Sequence, residues 1–429
     1  MRSLYVWLFT AALATLAVFQ DRPWRSLEVF DWDAGGYYVY LPSAFLYHDL
    51  GRADSLQRIA EATVRSRARV LGLQHLPNGK VISKYPLGVA LGELPWFAGA
   101  HAYARLRGDP ANGFSRPYQH SVMLAGLAYG LLGLWLLRKL LRRFFDDRSA
   151  AWALAGVGLG TNFFAYASYD AAMAHAVLFL WQTALLYCTV RWHETFGRRW
   201  AAGIGLFLGL AVLCRPTEAL YVLVPLAWGI TSGAAARQRG PLLLRHAGQL
   251  GLAAAVGLAV LSWQLLFWRA TSGHWLLYSY GQERFDFLHP HVFEGLFSFR
   301  KGWLLYTPLA GLMLLGLGAA WRRVPAAVAP IVLLLPVLLF VTFSWQQWWY
   351  GGGFSARPLV SVYPLLALPL AALLAPPRPA GRWPAALRLA VLLCIVLNLW
   401  QTWQYAAGIL LYDNNTAELY RRNFFHTSL

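Results

Sequence analysis

The chain is poor in charged residues. Only 13% of its 429 residues are Asp, Glu, Lys or Arg, whereas 58% are hydrophobic. Soluble domains carry roughly 25% charged and 45–50% apolar residues, so a soluble enzyme and a disordered chain are excluded. The three cysteines lie in apolar runs without metal-ligand spacing, which also excludes a disulfide scaffold. The composition therefore predicts an all-α polytopic membrane protein.

The absence of several sequence motifs narrows the range of possible functions. No internal repeat is present, so an inverted-repeat transporter has no direct support. No glycine-rich phosphate loop or Rossmann pattern is present either. The net charge of +18 follows from the basic loops of a membrane protein, and we expect no nucleic-acid partner.

Long apolar runs predict about eleven transmembrane helices, since a span needs roughly 20 apolar residues. The predicted spans are 4–20, 119–137, 149–167, 171–190, 200–214, 217–232, 248–267, 303–320, 326–343, 358–375 and 386–405. A further apolar stretch, 85–104, contains Glu93, Pro95 and His101, which are costly in lipid. Whether this stretch crosses the membrane decides the topology.

The positive-inside rule places short basic loops on the cytoplasmic side. The short basic loops are 138–148, 191–199, 237–245, 322–323 and 378–388. All of them lie on the side of the N-terminus only if 85–104 does not cross. We therefore predict that 85–104 is re-entrant or interfacial, that the N-terminus is cytoplasmic and that the C-terminus is extracytoplasmic. A bacterial inner or plasma membrane is the expected location.

This topology gives a very large first external loop, 21–118, which we expect to carry juxtamembrane helices. It belongs to a catalytic module, 1–232. A second module, 233–429, contributes the external loops 269–302 and 344–357. Most acidic residues lie outside on this topology, so we expect any chemistry on the outer face.

An acidic, tyrosine-rich motif follows the first span. Asp31 and Asp33 precede a Gly-Gly pair, which lets the backbone approach a ligand closely. Tyr37 and Tyr38 then offer amphipathic rings that suit a sugar or a headgroup. One carboxylate is a candidate general base for an acceptor hydroxyl or amine. The alternative is that both carboxylates merely cap the next helix or lie in water.

Lys84 and Tyr85 stand at the mouth of the 85–104 segment. A lysine in this position is suited to bind a lipid phosphate as a point charge. The alternative is that its ammonium extends to ordinary headgroups.

Asp170 lies between two spans on the predicted outer face, and His175 lies five residues further on. Asp170 is either an active-site carboxylate or the N-cap of the next span. His175 either lines the substrate site or is a hydrogen-bonded residue inside the bundle. Arg215 follows Cys214, and its guanidinium is either a forked phosphate ligand or a local partner of Glu218.

The stretch 344–358 is rich in Trp and Gly. An aromatic belt at the membrane interface accounts for its tryptophans, including Trp349, without a further function. It does not account for the three consecutive glycines or for Arg357, which opens the next span. We interpret Arg357 as a second phosphate contact and Trp349 as a substrate-lining residue.

The order of these motifs resembles the GT-C type membrane glycosyltransferases. They include protein O-mannosyltransferases, aminoarabinose transferases of lipid A and catalytic subunits of oligosaccharyltransferases. The resemblance assigns Asp33 as the essential acidic residue of the first external loop, with Asp31 as the second choice. It assigns Asp49 to the acidic position that ends the first juxtamembrane helix. Lys84-Tyr85-Pro86-Leu87 is similar to the Lys-Pro-Pro-Leu of that family, with Tyr in place of one Pro.

The resemblance implies a GT-C-like bundle and glycosyl transfer from a polyprenyl-phosphate sugar. Asp33, Asp31 and Asp170 are then the catalytic candidates. The donor phosphate is assigned to Lys84, Tyr85, Arg215 and Arg357. The acceptor is expected to be an extracytoplasmic lipid, glycan or protein. No cofactor is firmly predicted, and a divalent metal stays open because some members use one. The alternative function is a transporter or flippase of lipid-linked sugars.

Overall fold

The computed structural model describes residues 1–21, 28–31, 33–64, 72–376 and 385–428. Parts of the predicted first external loop and most of the basic loop 378–388 lie outside these residues. The described chain is almost entirely helical, with one short antiparallel hairpin, Leu73–His75 with Val81–Ser83, in which Gln74 pairs with Ile82. The all-α prediction is confirmed.

Six helices in the described residues are long and apolar enough to cross a membrane. They are Arg2–Asp21, Arg116–Phe144, Ala247–Ser272, Pro325–Phe343, Arg357–Leu374 and Ala385–Ala406. Each coincides with a predicted span. The molecule is an integral membrane protein.

The other five predicted spans correspond to helices that are shorter, interrupted or less apolar. Their elements are Asp147–Leu159 with Phe163–Ala167, Ala174–Thr195, Arg198–Cys214, Pro216–Val222 with Leu223–Ala227, and Trp303–Tyr306 with Leu309–Leu315 and Leu317–Arg323. The count of eleven therefore stays a prediction. The doubtful segment forms one 20-residue helix, Gly88–Arg107, with Pro95 inside it.

Short helices connect these elements. The predicted first external loop contains Asp33–Tyr38, Tyr40–Phe45 and Ala53–Val64. The remaining connecting helices are Gly233–Arg245, Val292–Phe297 and Ala417–Asn423.

The central helix of the bundle is Arg357–Leu374, whose residues are almost all buried. It begins as a 3-10 turn, Arg357–Val362, and continues as an α-helix, Tyr363–Leu374. Leu359, Val360 and Tyr363 are completely covered by neighbouring helices. Because this helix lies in the core, Arg357 at its start has a fixed position at one end of the bundle.

Glycines allow two close helix contacts near that same end. A Cβ at Gly88 would lie 2.4 Å from the backbone nitrogen of Cys214, and a Cβ at Gly126 would lie 1.7 Å from the carbonyl oxygen of Ala171. Real side chains never approach so closely. The first contact seats the start of the helix Gly88–Arg107 against the residue that precedes Arg215.

Candidate active site

A buried ion pair joins the two halves of the chain. Asp33, the first residue of the short helix Asp33–Tyr38, accepts a hydrogen bond from Nη2 of Arg357 at 2.6 Å. Its other carboxylate oxygen accepts one from the Tyr85 hydroxyl at 2.5 Å. Three residues predicted separately from the sequence are therefore in direct contact, although 324 positions separate Asp33 from Arg357.

The glycine-rich stretch before the central helix positions the Arg357 side chain. Arg357 also donates to the carbonyl oxygen of Tyr350 at 2.5 Å. Gly353 has a φ of +150°, and a Cβ there would lie 2.8 Å from the Tyr166 hydroxyl and 3.3 Å from Cδ of Arg357. The absence of a side chain at this position lets the loop pass between Tyr166 and the guanidinium.

The charge of Asp33 is stabilised by its neighbours. Burial alone would raise the pKa of this carboxyl, but the charge of Arg357, the hydrogen bond from Tyr85 and the charge of Lys84 hold it below its usual value. Asp33 is therefore ionised at neutral pH. The carboxylate has no proton to give, but it is able to accept one.

Lys84 lies directly after the hairpin Leu73–His75 with Val81–Ser83, which fixes its backbone beside Tyr85. Its ammonium is paired with Glu283 of the loop 269–302. It also lies 5.3 Å from the ring centre of Tyr85 and 5.6 Å from that of Tyr280. The Ser279 hydroxyl donates to the Lys84 carbonyl oxygen at 2.6 Å, so the loop covers this lysine.

Arg215 lies at the end of the helix Arg198–Cys214 and points towards the start of the central helix. It donates to the carbonyl oxygen of Pro358 at 3.4 Å and lies 3.4 Å from Nδ1 of His175. Its ion pair with Glu218 is long, at 3.8 Å, and Gln182 donates to the same carboxylate at 2.7 Å. The sequence left a local pair and a phosphate ligand as alternatives, and this geometry accommodates both.

Asp170 occupies a turn near the Asp33–Arg357 pair. Its carboxylate accepts a hydrogen bond from Tyr405 at 3.0 Å. The N-cap of the next helix is Met173, so Asp170 does not cap it. Burial raises the pKa of Asp170 to about 6, partly opposed by the Tyr405 hydrogen bond and the charge of Arg357. Asp170 therefore lies within the electrostatic range of the Asp33–Arg357 pair without touching it.

The aromatic residues divide into two groups. Tyr37 packs against Tyr85, with ring centres 4.5 Å apart, and joins the cluster. Tyr38 points the other way: its ring stacks on Phe30 at 4.0 Å and its hydroxyl donates to the carbonyl oxygen of Gly113 at 2.5 Å. Tyr38 is thus a core residue and does not line the site.

Three other predicted residues lie apart from the cluster. Asp31 makes no hydrogen bond through Oδ1 within the described residues, and burial together with Glu28 raises its pKa to about 6. Asp49 accepts from the backbone nitrogen of Gly51 at 3.0 Å and stabilises a turn. Trp349 lies under the guanidinium of Arg300, with 3.6 Å to its ring centre.

Several contributors had no clear signal in the sequence. Tyr166, Tyr350 and Tyr405 supply hydroxyl or carbonyl groups around Arg357 and Asp170. They lie in aromatic runs whose composition suits lipid contact equally well. Lys301 is buried and donates to the carbonyl oxygens of Gly353 and Tyr412.

The resulting site, called here the Asp33 cluster, consists of Asp33, Lys84, Tyr85, Arg215 and Arg357. It has three cationic side chains and one ionised carboxylate, so it suits an anion next to a proton acceptor. Among the described residues no group of three or more His, Cys, Asp or Glu side chains is arranged to hold a metal ion.

Comparisons with known proteins bear on the fold that carries this site. Residues 114–268 match the family described as dolichyl-phosphate-mannose-protein mannosyltransferase. ArnT from Cupriavidus metallidurans bound to undecaprenyl phosphate is similar in structure, with a TM-score of 0.54 and 17% identity over 94% of this chain and 64% of that chain. The archaeal oligosaccharyltransferase AglB from Archaeoglobus fulgidus, in complex with an inhibitory peptide and a dolichol-phosphate, has a TM-score of 0.50 and 12% identity over 97% of this chain and 56% of that chain.

The chain thus spans about three fifths of the length of these solved structures. No curated protein sequence matches it. The structural likeness establishes the fold, which is of the GT-C type that the sequence predicted.

Proposed function

We propose that this protein transfers a sugar from a polyprenyl-phosphate carrier to an extracytoplasmic lipid, glycan or protein acceptor, with Asp33 as the base. The observation that carries the proposal is the Asp33 cluster itself. An ionised carboxylate is paired with Arg357 and lies within range of the charge of Lys84, and Arg215 donates to the backbone of Pro358 next to Arg357. The matched family and the two lipid-phosphate complexes support the same class of donor.

The donor phosphate is assigned to Lys84, Arg215 and Arg357. Guanidinium groups make forked, charge-assisted hydrogen bonds to phosphate oxygens, and the lysine adds a point charge. Arg215 and Arg357 lie at the ends of predicted spans, and Lys84 lies just before the helix Gly88–Arg107, so the polyprenyl tail is able to remain in lipid. Both predicted modules contribute to this site, since Lys84 and Arg215 belong to 1–232 and Arg357 to 233–429.

The reaction follows from this arrangement. The acceptor oxygen or nitrogen attacks the anomeric carbon while Asp33 accepts its proton. The bond between the anomeric carbon and the phosphate oxygen breaks, and its electron pair leaves with the phosphate. Because a phosphate needs no proton to leave, one base and a set of cations are sufficient.

The ion pair has a consequence for the strength of the base. While Arg357 holds Asp33, the carboxylate is a weak base because its pKa is held low. A donor phosphate competes for the same guanidinium. Once it binds, Asp33 loses part of its stabilising charge and becomes more basic. Donor binding therefore prepares the base for the acceptor.

The test compares Asp33→Asn with Asp31→Asn in purified protein reconstituted with lipids. Product formation and donor binding are both followed by mass spectrometry of the lipid extract. We expect Asp33→Asn to retain the donor lipid but to lose transfer, and Asp31→Asn to transfer normally. Wild-type turnover by Asp33→Asn would overturn the assignment.

The same preparation separates transfer from transport. A flippase moves the lipid-linked sugar between leaflets without making a new glycoside. If wild-type vesicles translocate the donor and no glycosylated product forms with any acceptor class, the alternative function is correct.

A further inference from the structure

A second polar site lies at the other end of the bundle. The helix Ala174–Thr195 carries His175, which lies beside Arg215 of the Asp33 cluster, at its start and His193 near its end. At 1.5 Å per residue the two histidines are separated by about 27 Å along the helix. This is close to the roughly 30 Å thickness of the hydrocarbon core. The surroundings of His193 therefore belong to the opposite membrane interface.

A cavity of about 350 Å³ opens there. Its apolar wall is formed by Phe144, Phe196, Trp228 and Leu242, and Arg239 lines it as well. The volume and the mixture of aromatic and charged groups suit a small amphiphilic group rather than a single ion.

Arg239 is incompletely satisfied. It donates through Nη2 to the carbonyl oxygen of Trp228, but Nε and Nη1 are buried and have no hydrogen-bond partner within the described residues. No described carboxylate lies within ion-pair distance of it. A shielded guanidinium without a counter-charge is costly, and its remaining donors match the oxygens of a phosphate.

The charges around the cavity are mainly positive. Glu194 lines it, but this carboxylate is already shared by Arg143 at 2.7 Å and Arg191 at 2.6 Å. Two arginines therefore share this carboxylate, and its negative charge is paired with residues other than Arg239. An anionic ligand would neutralise the remaining positive charge around the cavity.

The helix that carries Arg239 indicates the source of the anion. None of the residues of Gly233–Arg245 is buried in the protein, although it contains Leu242, Leu243 and Leu244. Leu244 is 77% exposed. A short helix that combines incompletely buried leucines with arginines is typical of a membrane interface. On the predicted topology this interface is the cytoplasmic one, whose leaflet is rich in anionic lipids.

We propose that this cavity binds the phosphate headgroup of an anionic phospholipid, with Arg239 as its phosphate-binding residue. Rotation of the guanidinium brings its unused nitrogens to the phosphate oxygens. Trp228 and Phe144 contact the glycerol and the first methylenes, and the acyl chains remain in the bilayer beside Leu244. This site is distinct from the Asp33 cluster and does not depend on the proposed transfer reaction.

The experiment measures thermal unfolding and lipid retention of the detergent-purified protein. The probes are phosphatidylglycerol, phosphatidylcholine and water-soluble glycerol phosphate. Arg239→Gln is compared with Arg237→Gln, which removes the same charge from an exposed position of the same helix. We expect phosphatidylglycerol to stabilise wild type and Arg237→Gln, and Arg239→Gln to bind it about tenfold more weakly or worse.

Equal stabilisation of Arg239→Gln, or equal effects of phosphatidylcholine and phosphatidylglycerol, would overturn the proposal. An equal effect of glycerol phosphate would identify a soluble phosphate as the ligand and overturn the lipid assignment. If Arg239→Gln does not fold, Leu242→Trp replaces it. This variant fills the cavity while keeping the charge, and we expect the same loss of phosphatidylglycerol binding; unchanged binding would contradict the site.

Discussion

The coupling free energy of the Asp33–Arg357 ion pair can be measured without knowing the substrate. Its two side chains are 20% and 12% exposed, so the pair is mostly but not completely buried. Removing one partner of a fully buried pair costs about 3–5 kcal/mol, whereas exposed pairs contribute less than about 1 kcal/mol. We therefore expect a coupling free energy of about 2–3 kcal/mol between the two positions.

The assay is a double-mutant cycle of Asp33→Asn, Arg357→Gln and the double variant. The free energy of unfolding is measured at pH 7 by titration with denaturing detergent in mixed micelles, followed by fluorescence of the 21 tryptophans. The pair is intact at this pH, because a carboxyl with a lowered pKa loses its stabilisation only as the pH falls through that pKa.

Arg143 and Glu194 form a matched control. Their hydrogen bonds are just as short, at 2.7–2.9 Å, but the side chains are 32% and 36% exposed. We expect a coupling below about 1 kcal/mol in the corresponding cycle. Additive effects at Asp33 and Arg357, or coupling no larger than that of the control, would refute the reasoning from burial.

Two further predictions concern charges around the Asp33 cluster. Glu283→Gln is expected to lower the KM for the polyprenyl-phosphate donor, since Lys84 no longer pairs with a competing carboxylate. Lys84→Gln is expected to raise the same KM. A change of KM in the same direction for both variants would contradict the phosphate-binding role of Lys84. Because burial raises the pKa of Asp170 from 3.8 to about 6, the folded state loses stability as the pH rises through this interval. As the pH rises through this interval, the melting temperature of Asp170→Asn should therefore increase relative to that of wild type, and at higher pH the difference between the two should stay constant. A difference that does not depend on pH would refute the assignment.

Much of the Asp33 cluster could be predicted from the sequence because membrane spans fix depth. Polar residues at the outer ends of successive spans must lie in one layer, whatever the packing of the helices. This is why Arg215 and Arg357, chosen from separate motifs at span ends, lie in one layer, where Arg215 donates to the backbone beside Arg357. Lys84 belongs to the first external loop, and the hairpin before it brings it to this layer. The distribution of basic loops predicts which layer faces outward.

The direction in which each side chain points within that layer could not be predicted from the sequence. Adjacent residues of a helix point about 100° apart, so Tyr37 reaches the Asp33 cluster while Tyr38 is buried in the core. Asp33 begins the short helix, whereas Asp31 precedes it, and the sequence alone does not tell which of the two carboxylates reaches Arg357. Partners distant in the chain, such as Glu283 for Lys84, depend on loop geometry that no local pattern records.

The ion pairs around the Asp33 cluster bear on the order of binding. Lys84 is paired with Glu283, Arg357 with Asp33 and, at the longer distance of 3.8 Å, Arg215 with Glu218, so each cation assigned to the phosphate already faces a carboxylate. If the proposed function is correct, a donor phosphate competes with these carboxylates for the cations, and Asp33 becomes a stronger base as Arg357 turns to the phosphate. We therefore expect the donor to bind before the acceptor, because an acceptor that arrived first would meet a carboxylate still held by Arg357.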